Sequence, residues 1–155
     1  MLRAKTLGSS DQQRREERMT LSDCDLIGAW TLDEMYAEGA EGAKTYPMGQ
    51  DADGMIMYTP DSHMSAIVHF ADRLLPVDRA NDEERAKAFS SYFNYAGTWK
   101  LEDDTVTHTI THALDPNMVG MSLSRAIVKD GARVIFSGLG HDGVTRQCII
   151  WKRPG

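Results

Sequence analysis

A chain of 155 residues with a formal net charge of −6 has room for one hydrophobic core, and its 41% hydrophobic and 26% charged residues are ordinary for a globular domain. No apolar run approaches the roughly 20 residues of a membrane-spanning helix, and an acidic balance without a clustered basic face argues against a nucleic-acid partner. The first residues hold no apolar run of the kind a secretory leader needs, so cytoplasmic residence is the expectation. In that compartment Cys24 and Cys148 are expected as free thiols, even if pairing of the first and last strands brings them close.

Residues 1–21 read as a flexible tail and residues 22–155 as one domain. The segment Gln12 to Arg18 favours helix by propensity but offers no apolar stripe with which to dock. Ser22 to Leu32 reads as a short capped turn running into a strand, with Gly28 allowing the bend and Trp30 demanding burial. Period-two alternation then places Trp30, Leu32, Glu34 and Tyr36 on one face. Glu38 to Gly42 breaks that strand, and residues 54–70 read as a hairpin of Met55–Thr59 and His63–Phe70 around the Pro60-Asp61 turn. A helix follows, capped by Asn81 or Asp82, with Ala86, Ala88, Phe89, Tyr92 and Phe93 at helical spacing. Together with Pro76 and its charged surroundings it is expected in a connection crossing the barrel, where it would act as a lid. Strands return over Thr98–Leu101, Val106–Leu114, Ser122–Lys129, Val134–Ser137 and Gln147–Arg153, separated by Asp-, Asn- and Gly-rich turns, the last of them containing His141. Many short strands with one helix predict an all-β antiparallel barrel of about eight strands.

Several motifs resemble the lipocalin-like domain family, a branch of the calycin-type barrels. They are Leu26-Ile27-Gly28-Ala29-Trp30, Tyr46-Pro47-Met48-Gly49, and Gly54 to Asp61. Further along come Met64-Ser65-Ala66, Tyr95-Ala96-Gly97, Val106-Thr107-His108, Pro116 to Gly120, and the closing Trp151-Lys152-Arg153. This chain has Ser62 where the family tends to have Gly, and Met118 where it tends to have Trp. The resemblance implies a closed or nearly closed barrel around a small, largely apolar molecule. It does not imply one activity, because similar barrels include plain carriers as well as cyclases, isomerases and lyases.

Alternation nominates the polar groups inside. On Val106–Leu114 the even positions are apolar except His108 and His112, so both imidazoles are expected to face inward. Two residues four apart on a strand are separated by about 13 Å, too far to share a zinc ion, so no metal and no other cofactor is expected. Arg125 alternates with Leu123 and Ile127, which points it either into the cavity, where Glu34 or a ligand carboxylate would partner it, or outward at the rim. Tyr58 and Tyr95 are expected to pack their rings and hydrogen-bond their hydroxyls, and in the functional reading Tyr58 orients a carbonyl or phenol on which Trp99 stacks. His63 and His69 fall on the more polar face of their strand and rank below His108 and His112. The candidate catalytic set is therefore His108, Arg125, Tyr58, Glu34 and His112, with Trp30, Tyr36, Ile56, Tyr95, Trp99, Ile110 and Phe136 as ligand-binding walls. The leading functional expectation is a cofactor-free isomerase, cyclase or lyase acting on a small hydrophobic or aromatic metabolite. In it His108 moves a proton while Arg125 and Tyr58 hold the developing oxyanion. A non-catalytic carrier or sensor of a hydrophobic small acid is the rival. In either case the partner is a small molecule rather than nucleic acid or membrane, and homodimerisation is left open.

Overall fold

The structure is a computed structural model that describes residues 21–73, 78–140 and 142–155. The expected tail over residues 1–20, together with Pro76 and His141, lies outside the described residues. The chain enters through α1 (Asp23–Leu26), one turn in which the Ser22 backbone N–H donates to Asp25 Oδ2 at 2.9 Å. Leu21, just before it, packs against the core rather than joining the tail.

Gly28 opens β1 (Gly28–Glu38) at φ +115°, a conformation that favours glycine. A side chain there would also collide with Arg153, whose Nη1 lies 2.8 Å from the position a Cβ would take. The remaining strands are β2 (Lys44–Thr45), β3 (Asp53–Tyr58), β4 (His63–His69), β5 (Tyr92–Glu102), β6 (Thr105–Ala113), β7 (Ser122–Asp130), β8 (Arg133–Leu139) and β9 (Arg146–Lys152). From β3 onward each strand pairs antiparallel with the next, and β1 pairs with both β3 and β9. Eight strands thus close into an up-and-down barrel, and β2 is a two-residue addition at the far end of β1. No described helix is long and apolar enough to cross a membrane.

Interior positions alternate along each strand, as closure requires. Ile56 and Tyr58 on β3, Met64, Ala66 and Val68 on β4, and Val134 and Phe136 on β8 are all buried in one continuous core. Two bulges interrupt that alternation. In β1 the register steps between Leu32 and Glu34, leaving Asp33 as the extra residue, its carboxylate held outside by Lys152 at 3.1 Å and Arg133 at 3.3 Å. In β6 Thr111 is the extra residue, since Ile110 pairs with Gly97 and His112 with Ala96. Past each bulge the faces exchange.

Helix α2 (Asp82–Ser90) begins as expected, with Asn81 accepting from Glu84 N–H at 2.8 Å and Glu84 reaching back to Asn81 N–H. It ends before Tyr92 and Phe93, which the spacing assigns to the helix. Those two residues instead begin β5, six residues ahead of the strand start read from the sequence, because pairing of His69 with Tyr92 and Val68 with Phe93 outweighs local helical preference. Ser62, in the position where the family tends to have glycine, adopts φ +68°, so the backbone there is of the kind glycine favours.

Gly97 marks where two strands come closest. A Cβ on it would lie 1.9 Å from the Thr109 carbonyl oxygen. Gly97→Ala is therefore expected to destabilise the barrel by about 1–3 kcal/mol in chemical denaturation. Gly39→Ala, whose added Cβ would approach nothing nearer than the Ala43 carbonyl oxygen at 4.0 Å, is the control. Equal stabilities for the two variants would refute close packing at the bulge.

Candidate functional site

One end of the barrel is solid. Trp30 donates from Nε1 to the Leu26 carbonyl at 2.8 Å, and the Arg153 guanidinium lies 3.7 Å from its ring centroid. Trp99 packs edge-on against Tyr58 with centroids 5.0 Å apart and donates to the Thr59 carbonyl at 3.2 Å. Trp30 and Trp99, expected as ligand walls, belong to this filled end, and neither they nor Ile110, further along β6, border the cavity.

Above them lies a cavity of about 390 Å³, within the range of small-molecule sites. Ile56, Tyr95 and Phe136 wall it as expected, joined by Met35, Leu123, Ile149 and Trp151. Phe89 on α2, Phe93 and Leu114, all substantially exposed, form its mouth together with Met48 and Met118. Tyr36 also borders the cavity. Lys44 Nζ sits 4.0 Å from its ring centroid, the Tyr46 ring is 6.5 Å away, and a hydrogen bond with the Cys148 thiol and burial push its pKa up to about 12. Cys24 is exposed and Cys148 buried, both as free thiols.

The bulges account for two misplaced site residues. Glu34 falls past Asp33, so it leaves the inner face and meets Tyr46 Oη at 3.3 Å and Lys44 Nζ at 3.7 Å. It cannot partner Arg125. His112 falls past Thr111, is exposed, and shares a 2.8 Å hydrogen bond with the Thr111 hydroxyl. His63 and His69 project from the outer face of β4, as ranked.

His108 does face inward, and it is 2% exposed. Its Nε2 is 2.7 Å from Tyr58 Oη and its Nδ1 is 2.7 Å from Tyr95 Oη, so both ring nitrogens are occupied. Burial, assisted by the positive charge of Arg125, lowers its pKa to about 4, and the ring is neutral at pH 7. Burial likewise raises Tyr95 to about 12 against the opposing pull of Arg125, and holds Tyr58 well above the ordinary tyrosine value. His108 has no nitrogen free to take a proton from a bound molecule.

Arg125 enters the cavity from β7, with Gly138 on the adjacent strand making room: a Cβ there would lie 3.0 Å from Arg125 Cδ. Its Nη1 donates to the Ser124 carbonyl at 2.9 Å and its Nη2 to Gln147 Oε1 at 3.4 Å. Among the described residues no carboxylate forms an ion pair with it. Asp115 borders the cavity at its mouth, but there its Oδ1 accepts from Asn117 N–H at 3.0 Å. Gln147 was not nominated from sequence, although it alternates with Ile149 and Trp151 and so sits on the inner face of β9.

No curated protein matches the chain. Among solved structures, a lipocalin-like protein from Bacteroides uniformis is similar, with 13% identity and a TM-score of 0.46, covering 84% of this chain and 99% of that one. The profile of the lipocalin-like domain matches residues 27–153, from the residue before Gly28 to Arg153 on the far side of the closed end. An eight-stranded closed barrel around an apolar cavity, matched over almost all its length, makes this chain a member of the lipocalin-like domain family and a small-molecule-binding barrel.

Proposed function

We propose that the barrel is a carrier or sensor that binds a small, largely apolar acid, with Arg125 as the anchor of the acid group. The observation behind this reading is a guanidinium turned into an apolar cavity with no carboxylate beside it. A charge in such surroundings is stabilised when an opposite charge is brought in, and guanidinium suits a carboxylate through paired N–H donors. The enzymatic reading keeps Arg125 for the oxyanion but loses Tyr58, which lies below the cavity and does not border it, so that Tyr95 stands in the place expected of Tyr58. That reading also loses its proton carrier, because His108 is neutral at pH 7 with both nitrogens engaged. Binding without turnover is therefore the better-supported function.

Two fluorescent probes of almost identical shape test the anchor: anilinonaphthalene sulfonate, an apolar anion, and phenylnaphthylamine, its uncharged counterpart. Arg125→Gln should weaken the anion about 10–100-fold, the worth of a hydrogen-bonded charge, and leave the neutral probe within about twofold. Equal losses for both probes, or no loss for the anion, would overturn the assignment. A co-purifying molecule that the protein converts on incubation would overturn the carrier reading in favour of catalysis.

A further inference from the structure

We infer that the cavity has a second polar subsite, in which the Tyr95 hydroxyl, oriented as a donor by the buried Tyr58–His108 pair, receives an uncharged carbonyl oxygen of the ligand. The inference rests on the apolar-acid reading above and narrows it to an acid that also carries a ketone, aldehyde, ester or amide carbonyl.

The argument is one of hydrogen-bond supply. A neutral imidazole has one N–H donor and one bare nitrogen acceptor. If the bare nitrogen is Nε2, Tyr58 donates to it, the Nδ1–H donates to Tyr95 Oη, and the Tyr95 hydrogen remains to be placed. If the bare nitrogen is Nδ1, the roles reverse and the Tyr58 hydrogen remains. The two phenols differ in where a spare hydrogen can go. Tyr58 is 2% exposed, does not border the cavity, and has no hydroxyl partner except His108 among the described residues. Stranding its hydrogen costs enough to disfavour that tautomer about tenfold or more. Tyr95 does border the cavity, so its hydrogen has somewhere to point. The arrangement therefore runs Tyr58 to His108 to Tyr95 to the cavity.

Among the described residues, the cavity wall near Tyr95 supplies donors and no free acceptor. Arg125 and the Tyr95 hydroxyl are both donors, while the Gln147 carbonyl oxygen in the same wall is already used by Arg125. The ligand must bring the acceptors. One is the anion matched to Arg125. Tyr95, whose burial makes it a poor acid, donates a hydrogen bond without surrendering its proton, which suits a neutral carbonyl.

The test pairs an NMR measurement with a probe. In histidine-selective nitrogen NMR above pH 6.5, His108 should carry its proton on Nδ1, and a proton on Nε2 would overturn the relay. The probe is propionyl-dimethylaminonaphthalene, a neutral apolar ketone whose emission moves to the red when its carbonyl accepts a hydrogen bond. Bound to the wild type it should emit further to the red than when bound to Tyr95→Phe. The substitution should also weaken it about 2–10-fold, the worth of a neutral hydrogen bond, with anilinonaphthalene sulfonate unaffected. Identical emission in the two proteins overturns the subsite, as does binding of the sulfonate without any binding of the ketone. Failure of both probes to bind would instead overturn the apolar-acid reading.

Discussion

Trp30→Ala is expected to destabilise the barrel by about 3–5 kcal/mol, the usual loss for truncating a buried tryptophan. The effect should fall at the upper end because three separate contributions end on this side chain. Its ring fills the closed end of the core, its Nε1 satisfies the Leu26 carbonyl at the end of α1, and its face carries the Arg153 guanidinium. Arg153 in turn donates to the Ala29 and Asp25 carbonyls, each at 3.3 Å, so it ties α1 and β1 to the segment following β9. Removing the ring leaves a cavity and releases this closure as well. Trp30→Phe should recover part of the loss, since it restores an aromatic face for the cation but not the N–H donor. Guanidinium denaturation followed by circular dichroism measures both. A loss below about 1 kcal/mol for the alanine variant would mean that the closed end is held by other contacts.

The closed end was the most legible part of the sequence. Gly28, Trp30 and the final Lys152-Arg153 indicate a barrel whose two ends meet, and these residues do meet. The inward direction of His108 was legible too, because strict alternation holds along β6 as far as Ile110, whereas alternation on β7 left Arg125 open between the cavity and the rim. Glu34 and His112 were misplaced for one shared reason. A bulge adds a single residue without any distinctive composition, and every side chain beyond it exchanges faces. Neither Asp33 nor Thr111 announces itself in sequence, since charged and β-branched residues are equally at home in an uninterrupted strand. The Tyr58–His108–Tyr95 arrangement was out of reach for another reason. It depends on how β3, β5 and β6 are placed around a closed barrel, which alternation within one strand does not specify. Tyr92 and Phe93 illustrate a third limit, in which cross-strand pairing with β4 decides the conformation of residues whose spacing suits a helix.

A loss of stability on the mildly acidic side should be traceable to His108. Its pKa is about 4 in the folded protein, against about 6.5 in an unfolded chain. Above pH 6.5 the imidazole is neutral in both states and its contribution is fully present. As pH falls below 6.5 the unfolded chain takes up a proton that the buried ring refuses, and unfolding is favoured progressively until the folded state is protonated near pH 4. The gap between the two values corresponds to about 3 kcal/mol over that window. Asp25 and Asp33, held below the usual carboxylate value by hydrogen bonds from Ser22 and Lys152 respectively, lose their contributions only at lower pH. The two acid limbs are therefore separable. His108→Gln should be less stable at pH 7, because a phenol left without its partner costs about 1–3 kcal/mol, yet it should decline less steeply between pH 6.5 and 4. Parallel stability profiles for the two proteins across that window would remove His108 as its source. Arg125→Gln supplies an internal check, since the guanidinium charge helps keep the ring neutral. Without that charge the folded-state pKa rises, the window narrows from its acid end, and the loss shrinks. The anion proposed for Arg125 would act in the same direction and so couple occupancy of the cavity to the acid stability of the barrel.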